Sequence, residues 1–363
     1  FGGNPLEQLL GTGVHNEYVS YLTSLVKLKY DFDHLVKGLS AHGTISYWHY
    51  MQNDKKYHKS AQTYNPIRNS DGTILYAPQK EEKPFGFEEV NAKTRRIYLE
   101  FALNYSRQIK DHSFTAMLLY NQSKLHDPTL AYAIPNGVQG LVGRVTYDYK
   151  KRYLAEFNMR WDASSRFPKD KRSGIFPSFS AGWRVSDENF FEPLRNVVSN
   201  LKIRGSIGSL GNQAIAVKES QKNLPANCYP YIQSLNMASM GGYLLDGELL
   251  TYANVGDPVS GNFTWETIVH KNVGIDLGLF NDRLTCSADF FIRDTKDMLV
   301  PGKLLPALYG RDAPRENAAD LRTKGFEVTI GWNDNFYLLG KPFNYNLSLS
   351  LADSRSHITK YDN

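Results

Sequence analysis

The chain has 363 residues, 41% hydrophobic and 22% charged, and 42 Lys and Arg against 37 Asp and Glu give a formal charge of +5. A length of this order holds two ordinary domains or one large all-β unit; two cysteines exclude a disulfide framework and a four-thiolate zinc site, the apolar content excludes disorder, and so mild a charge speaks against nucleic acid as a partner. Mean hydropathy is −0.45 and no run of about 18 apolar residues offers a membrane helix, although a β-barrel wall needs an apolar residue only at every second position.

Period-two alternation runs through the chain and predicts one-sided strands. In chain order, Ile97, Leu99, Phe101, Leu103 and Tyr105 alternate with Arg96, Tyr98, Glu100, Ala102 and Asn104. Tyr153, Ala155, Phe157, Met159 and Trp161 then alternate with residues such as Glu156, Asn158, Arg160 and Asp162. Farther on, Leu284, Cys286, Ala288, Phe290 and Ile292 are set against Thr285, Ser287, Asp289, Phe291 and Arg293. Phe326, Val328, Ile330 and Trp332 oppose Glu327, Thr329 and Gly331, and Phe343, Tyr345, Leu347, Leu349 and Leu351 oppose a row of Asn and Ser. Each run is roughly 9–13 residues, longer than the soluble mode of about 5–6 and close to the 9–11 that cross a bilayer.

Connections between these runs alternate in length. Short turns are predicted at Asp31–Leu35, Gln108–His112, Asp148–Arg152, Phe280–Asp282 and around Asn333–Lys341, with a longer one at Asp187–Asn200 that carries a helical turn. Long polar stretches lie between them at Met51–Thr94, Ser123–Gly137, Ala163–Gly174, Ser209–Asn262 and Thr295–Leu321. The count is about twelve strands in antiparallel meander order. Short periplasmic turns on one side and long extracellular loops on the other are the anatomy of an outer-membrane barrel, whereas structureless loops beyond about 12–15 residues are uncommon in soluble domains.

The fold expected is therefore all-β, a partial transmembrane antiparallel barrel. A row of Leu, Phe, Val and Ile suits hydrocarbon, and a row of Arg, Glu, Asp and Asn must see water because buried unpaired charges are costly. Tyr147, Tyr149 and Tyr153 at one turn, with Trp161, Phe176 and Trp183 at strand ends, are expected in the interfacial aromatic girdles. The alternative is a soluble all-β binding or adhesion module, a sandwich with one wet face per sheet.

At the level of motifs the chain resembles the barrel of the SusC/RagA-type TonB-linked outer-membrane transporters. The similar stretches are Y-D-F-D-H-L-V-K-G-L-S (30–40), K-R-Y-L-A-E-F-N-M-R-W-D-A-S-S-R-F (151–167), F-P-S-F-S-A-G-W-R-V-S-D-E-N-F-F (176–191), L-K-I-R-G-S-I-G-S-L-G-N-Q (201–213), W-E-T-I-V-H-K-N-V-G-I-D-L-G-L-F-N-D-R-L (265–284), D-F-F-I-R-D-T-K-D-M-L (289–299) and G-F-E-V-T-I-G-W (325–332). The resemblance implies a plugged barrel of 22 strands in the outer membrane that imports oligosaccharides or oligopeptides with TonB energy, usually lidded by a SusD-like lipoprotein, with no enzymatic activity and no cofactor. Nothing in the chain resembles the family's plug, its TonB-contacting box or the strands that close the barrel. With no initiator Met and both ends in mid-pattern, residues 1–363 are expected to be a single interior segment of the wall, about half of it, touching lipid directly and the TonB complex only through a region outside this chain.

Catalytic signatures are not found. The nine His show no H-E-x-x-H spacing, Gly205, Gly208 and Gly211 follow a strand without opening a helix, and no G-x-S-x-G elbow occurs. Glu156 and Asp162 lie six apart on one strand face, roughly 20 Å at about 3.3 Å per residue, beyond the reach of paired glycosidase carboxylates. Candidate substrate contacts are therefore the water-facing charges Arg144, Glu156, Arg160, Asp162, Arg204, Asp289, Arg293 and Glu327, with Asp276 and Arg283 on the same predicted face. Tyr229, Tyr231, Tyr243 and Tyr252 join them from the longest loop, where aromatic faces could stack on a sugar or peptide.

Overall fold

In the computed structural model, residues 13–60, 62–80, 83–128, 134–213, 229, 231–233, 235–245, 248–255, 258–261, 263–303, 306–310 and 313–361 are described. The strands in chain order are β1 (Gly13–Asp31), β2 (Leu39–Ser60), β3 (Thr63–Arg68), β4 (Ile74–Lys80), β5 (Lys83–Ile109), β6 (His112–His126), β7 (Asn136–Tyr149) and β8 (Tyr153–Ser164). They continue with β9 (Ser173–Arg184), β10 (Val198–Asn212), β11 (Leu235–Leu245), β12 (Glu248–Val255), β13 (Glu266–Leu279), β14 (Leu284–Pro301), β15 (Arg315–Leu338) and β16 (Lys341–Tyr361).

Two compact units form. One comprises Phe1–Leu25, Ser46–Ile97 and Leu125–Pro135, the other Val26–Ile45, Tyr98–Lys124 and Asn136–Asn363. The larger unit holds β7–β16 whole and parts of β1, β2, β5 and β6, within a meander of twelve strands in the order β1-β2-β5-β6-β7-β8-β9-β10-β13-β14-β15-β16, with β11–β12 as a separate hairpin. β1 and β16 end the order, and among the described residues they do not pair with each other. The expected all-β meander of about twelve strands is thus present.

Turns are tighter than the sequence suggests. β15 and β16 are joined by Leu339 (φ 51°) and Gly340 (φ 76°) alone, a two-residue loop with both φ positive, whose backbone twist matches that of the flanking strands. The broad turn expected over Asn333–Lys341 is instead strand on both sides, because Asn333, Asp334 and Asn335 pair with Asn346, Tyr345 and Asn344. Asp187–Asn200 does contain a helical turn, the 3-10 segment at Asn189–Leu194, and a second 3-10 segment at Val185–Asp187 leads into it.

Strands are also longer than 9–13 residues: β15 has 24 and β16 has 21. The Met51–Thr94 stretch is mostly strand, since β2 runs on to Ser60, β5 starts at Lys83 and β3–β4 form a hairpin between them. Where both faces of a ladder meet water, hydrogen bonding continues but the apolar period that reveals it stops. In the smaller unit these extensions carry polar pairs such as Gln52–Glu17 and Asn53–Asn91, at 3.0 and 2.7 Å, and the β3–β4 turn is closed by Asp71, whose carboxylate accepts from the N–H of Thr73 at 2.9 Å.

Register sorts the side chains onto two faces. On one, Leu279, Leu284, Trp332 and Leu347 are lateral neighbours across β13–β16, followed by Leu277, Cys286, Ile330 and Leu349, then Ile275, Ala288, Val328 and Leu351. These rows are not sandwiched: Leu347, Leu349 and Leu351 are 62–68% exposed, and Leu99 and Phe101 are exposed as well. An exposed Leu/Ile/Val face on a sheet with a polar reverse is the arrangement a lipid-facing wall needs. At the short-turn end the same face carries linked rings, Phe114–Tyr147 at 4.8 Å, His112–Tyr149 at 4.9 Å, Tyr149–Tyr153 at 6.4 Å and Tyr153–Trp183 at 6.5 Å. This aromatic band includes the turn tyrosines and Trp183, as expected.

Phe176 departs from that expectation. It pairs with Arg160 and shares its face with Ser178 and Ser180, so it points to the polar side. There it packs with Phe167, Phe263 and Trp265 in a small buried core against Leu299.

Candidate functional site

The polar face is organised around Arg204. β10 pairs with β13 and β13 with β14 so that Arg204, Gly274 and Asp289 stand side by side. Arg204 donates from Nη1 and Nη2 to the two carboxylate oxygens of Asp289 at 2.7 and 2.6 Å, and from Nε to Asp276 at 3.1 Å. Ser287 donates to Asp276 at 2.9 Å and Asn272 to Asp289 at 2.9 Å. Gly274 makes this possible: a Cβ there would lie 2.6 Å from Arg204 Cζ and 2.8 Å from Asp289 Oδ1. The planar guanidinium fork is thereby saturated with bidentate, charge-assisted bonds.

A second group repeats the device. Arg160 Nε lies 2.7 and 2.6 Å from the Asp162 oxygens, and a Cβ on Gly140 would come within 2.7 Å of Asp162 Oδ1 and of Asn121 Oδ1. Arg144 Nε bonds Glu156 at 3.0 Å, and Asn158 donates to the same carboxylate at 2.8 Å. Glu100 accepts from Tyr98 at 2.5 Å and lies 3.3 Å from His42.

The structure therefore brings Arg144 with Glu156, Arg160 with Asp162, and Arg204 with Asp289 and Asp276. Arg293 and Glu327 are exposed on the same face, and neither has an ion pair among the described residues. Glu327 stands directly beside Asp289 in the β14–β15 ladder. Arg283 lies at the short-turn end, 3.5 Å from Asp334. Paired charges of this kind stiffen the polar face, while Arg293 and Glu327 stay exposed on it. Among the described residues no group of three or more His, Cys, Asp or Glu is placed to hold a metal ion.

Above this wall lies the aromatic cluster. Phe167 meets Phe263 at 5.3 Å and Trp265 at 4.9 Å, Phe176 meets Trp265 at 5.6 Å, and Trp265 Nε1 donates to the Arg172 carbonyl at 2.9 Å. Gly174 leaves room for the Phe176 ring, which a Cβ would approach to 2.5 Å. Sequence reasoning missed this group, although the parity of Phe176 with Ser178 and Ser180 carries the signal. Of the loop tyrosines, Tyr229 is buried and 6.2 Å edge-on to Tyr231, whose hydroxyl donates to the Ser165 carbonyl at 3.4 Å. Tyr252 is exposed on β12, and Tyr243 lies on β11 with its side chain outside the described residues.

Comparison with known proteins agrees with this architecture. Residues 3–363 match the family model for the TonB dependent receptor-like β-barrel. The chain is 32% identical to the TonB-dependent receptor SusC of Bacteroides thetaiotaomicron over 242 residues, 66% of this chain and 22% of SusC. It is 29% identical to the TonB-dependent receptor P3 of Formosa agariphila over 60% of this chain and 20% of that protein. The solved RagAB peptide transporter superposes with a TM-score of 0.68 at 18% identity, over 95% of this chain and 38% of that one. The chain spans well under half the length of these relatives. It belongs to the TonB-dependent receptor β-barrel family, and its sheet is a stretch of outer-membrane barrel wall.

Proposed function

We propose that residues 1–363 form one segment of the wall of a SusC/RagA-type importer that takes up oligosaccharides or oligopeptides across the outer membrane with TonB-delivered energy. The observation that carries this reading is the pairing of an exposed apolar face with a charged, largely ion-paired face on the same strands of an antiparallel meander. The similarity to a peptide transporter supports a bulky polar solute, and the charged face supports a hydrated path for it. A SusD-like lipoprotein would meet the long-loop side, and TonB would act through parts of the parent protein outside this chain. Arg293 and Glu327, with the exposed Tyr252, are the contacts best disposed toward a solute or a plug.

The test uses the full-length parent in its own bacterium. Deleting it should abolish growth on at least one oligosaccharide or oligopeptide mixture, and restoring it should rescue growth only when TonB is functional. Normal growth on every such source after deletion, or recovery of the parent in the soluble fraction, would overturn the proposal.

A further inference from the structure

The apolar face of β13–β16 does not end gradually. Above the row Val273–Phe290–Phe326–Asp353, the next lateral row is Lys271, Ile292, Lys324 and Arg355, and the one above it is Val269, Asp294, Arg322 and His357. Lys296, beside Thr267, continues the patch upward. Five cationic side chains thus stand together on the lipid side against two carboxylates. Both carboxylates are engaged: Arg322 Nε lies 2.5 Å from Asp294 Oδ1, and Arg355 lies 4.0 Å from Asp353. Lys271, Lys296 and Lys324 have no ion pair among the described residues.

The height of the patch is set by the ladder. From Leu279 at the short turn to Lys271 is eight residues, roughly 26 Å along the strand at about 3.3 Å per residue. At a strand tilt of about 40° that length rises about 20 Å along the membrane normal, near the top of an apolar band about 25 Å tall, and the long Lys and Arg stems carry their charges on to the headgroups. The patch has no counterpart on β8 and β9, where the outward neighbours toward the long-loop end are Trp161 with Ile175 and Ala163 with Ser173, without charge.

From this juxtaposition we infer that the outer face of β13–β16 binds the phosphate groups of outer-leaflet lipid. Phosphate oxygens accept charge-assisted hydrogen bonds from the ammonium and guanidinium groups, while the acyl chains of the same lipid cover Phe290, Ile292 and Phe326 just below. The site rests on the reading of this face as lipid-facing and adds to it a specific headgroup chemistry.

The test is lipid phosphorus retained per molecule by the full-length parent purified in a non-ionic detergent. Combined Lys271→Gln, Lys296→Gln and Lys324→Gln should weaken retention by about fivefold for each charge removed, whereas Lys341→Gln at the opposite end of β16 should leave it unchanged. Vesicles carrying phosphorylated lipid should raise the melting temperature of delipidated wild type and not of the triple variant. Unchanged retention in the triple variant, or equal protection by inorganic phosphate, would overturn the inference. Because the triple variant should still insert and migrate as a heat-modifiable barrel, failure of the lipid site is distinguishable from failure of the barrel reading.

Discussion

The two faces of β13 and β14 differ by one residue in register and by everything in solvent. Gly274 and Asp289 face Arg204, while Ile275 and Ala288, the adjacent pair, lie in the exposed apolar rows. On the inner side, stability comes from specific directional bonds that need a glycine to fit. In the outer row of Ile275, Ala288, Val328 and Leu351 the side chains have no directional partners, and transfer into hydrocarbon supplies the stabilisation. Precision is thus concentrated on the wet side of the wall and tolerance to apolar exchange on the dry side.

The sharpest way to break this contrast is a charge on the dry side. Ile275→Arg in the full-length parent should cost about 2–4 kcal/mol, read as a lowered denaturant midpoint for unfolding from lipid vesicles, whereas Ile275→Leu should be nearly neutral. Next, Gly274→Ala should cost about 1–3 kcal/mol, because its Cβ overpacks the Arg204–Asp289 bonds; the same unfolding assay should show no such loss for Gly143→Ala, whose Cβ would meet nothing within 4 Å. Arg144→Met, which opens a pair with Arg144 48% exposed, should cost no more than about 1 kcal/mol and should shrink further at high salt.

The smallest effect belongs to the turn that links β9 and β10. Glu188 accepts hydrogen bonds from Tyr153 and from Trp183 Nε1, at 3.1 Å for the latter, and lies 3.3 Å from Arg152. These bonds, Tyr153 first, hold its carboxyl below the ordinary glutamate range. A depressed carboxyl pKa stabilises the fold fully above the unfolded value of about 4.3 and loses that contribution as pH falls toward the lowered folded value. Melting temperatures taken from pH 7 down to pH 3 should therefore fall less steeply in Glu188→Gln than in wild type. An identical slope in the two proteins would remove Glu188 from the acid response.

Much of this was legible in the chain. Period two gave the membrane-facing parts of the strands, because only there do the two faces meet different solvents, and it assigned Arg204, Asp276 and Asp289 to one side. It could not join them: Arg204 and Asp289 are 85 residues apart, and contact depends on the registers of two ladders that alternation does not specify. The β3–β4 hairpin was readable from Asp71-Gly72 between two short runs of β-formers, yet a polar stretch without an apolar period hid it. Phe176 was misplaced for the opposite reason, since an aromatic at a strand end suggests the lipid interface and only its parity reveals the other face.

The length of β15 has a consequence for strand pairing. Its nine residues from Arg315 to Thr323 rise beyond Lys324, where the dry rows end, an extension of roughly 30 Å along the strand at about 3.3 Å per residue. Strand pairing with β14 continues over that length as far as Pro301 and Arg315, so the ladder stays hydrogen-bonded well past the last apolar row.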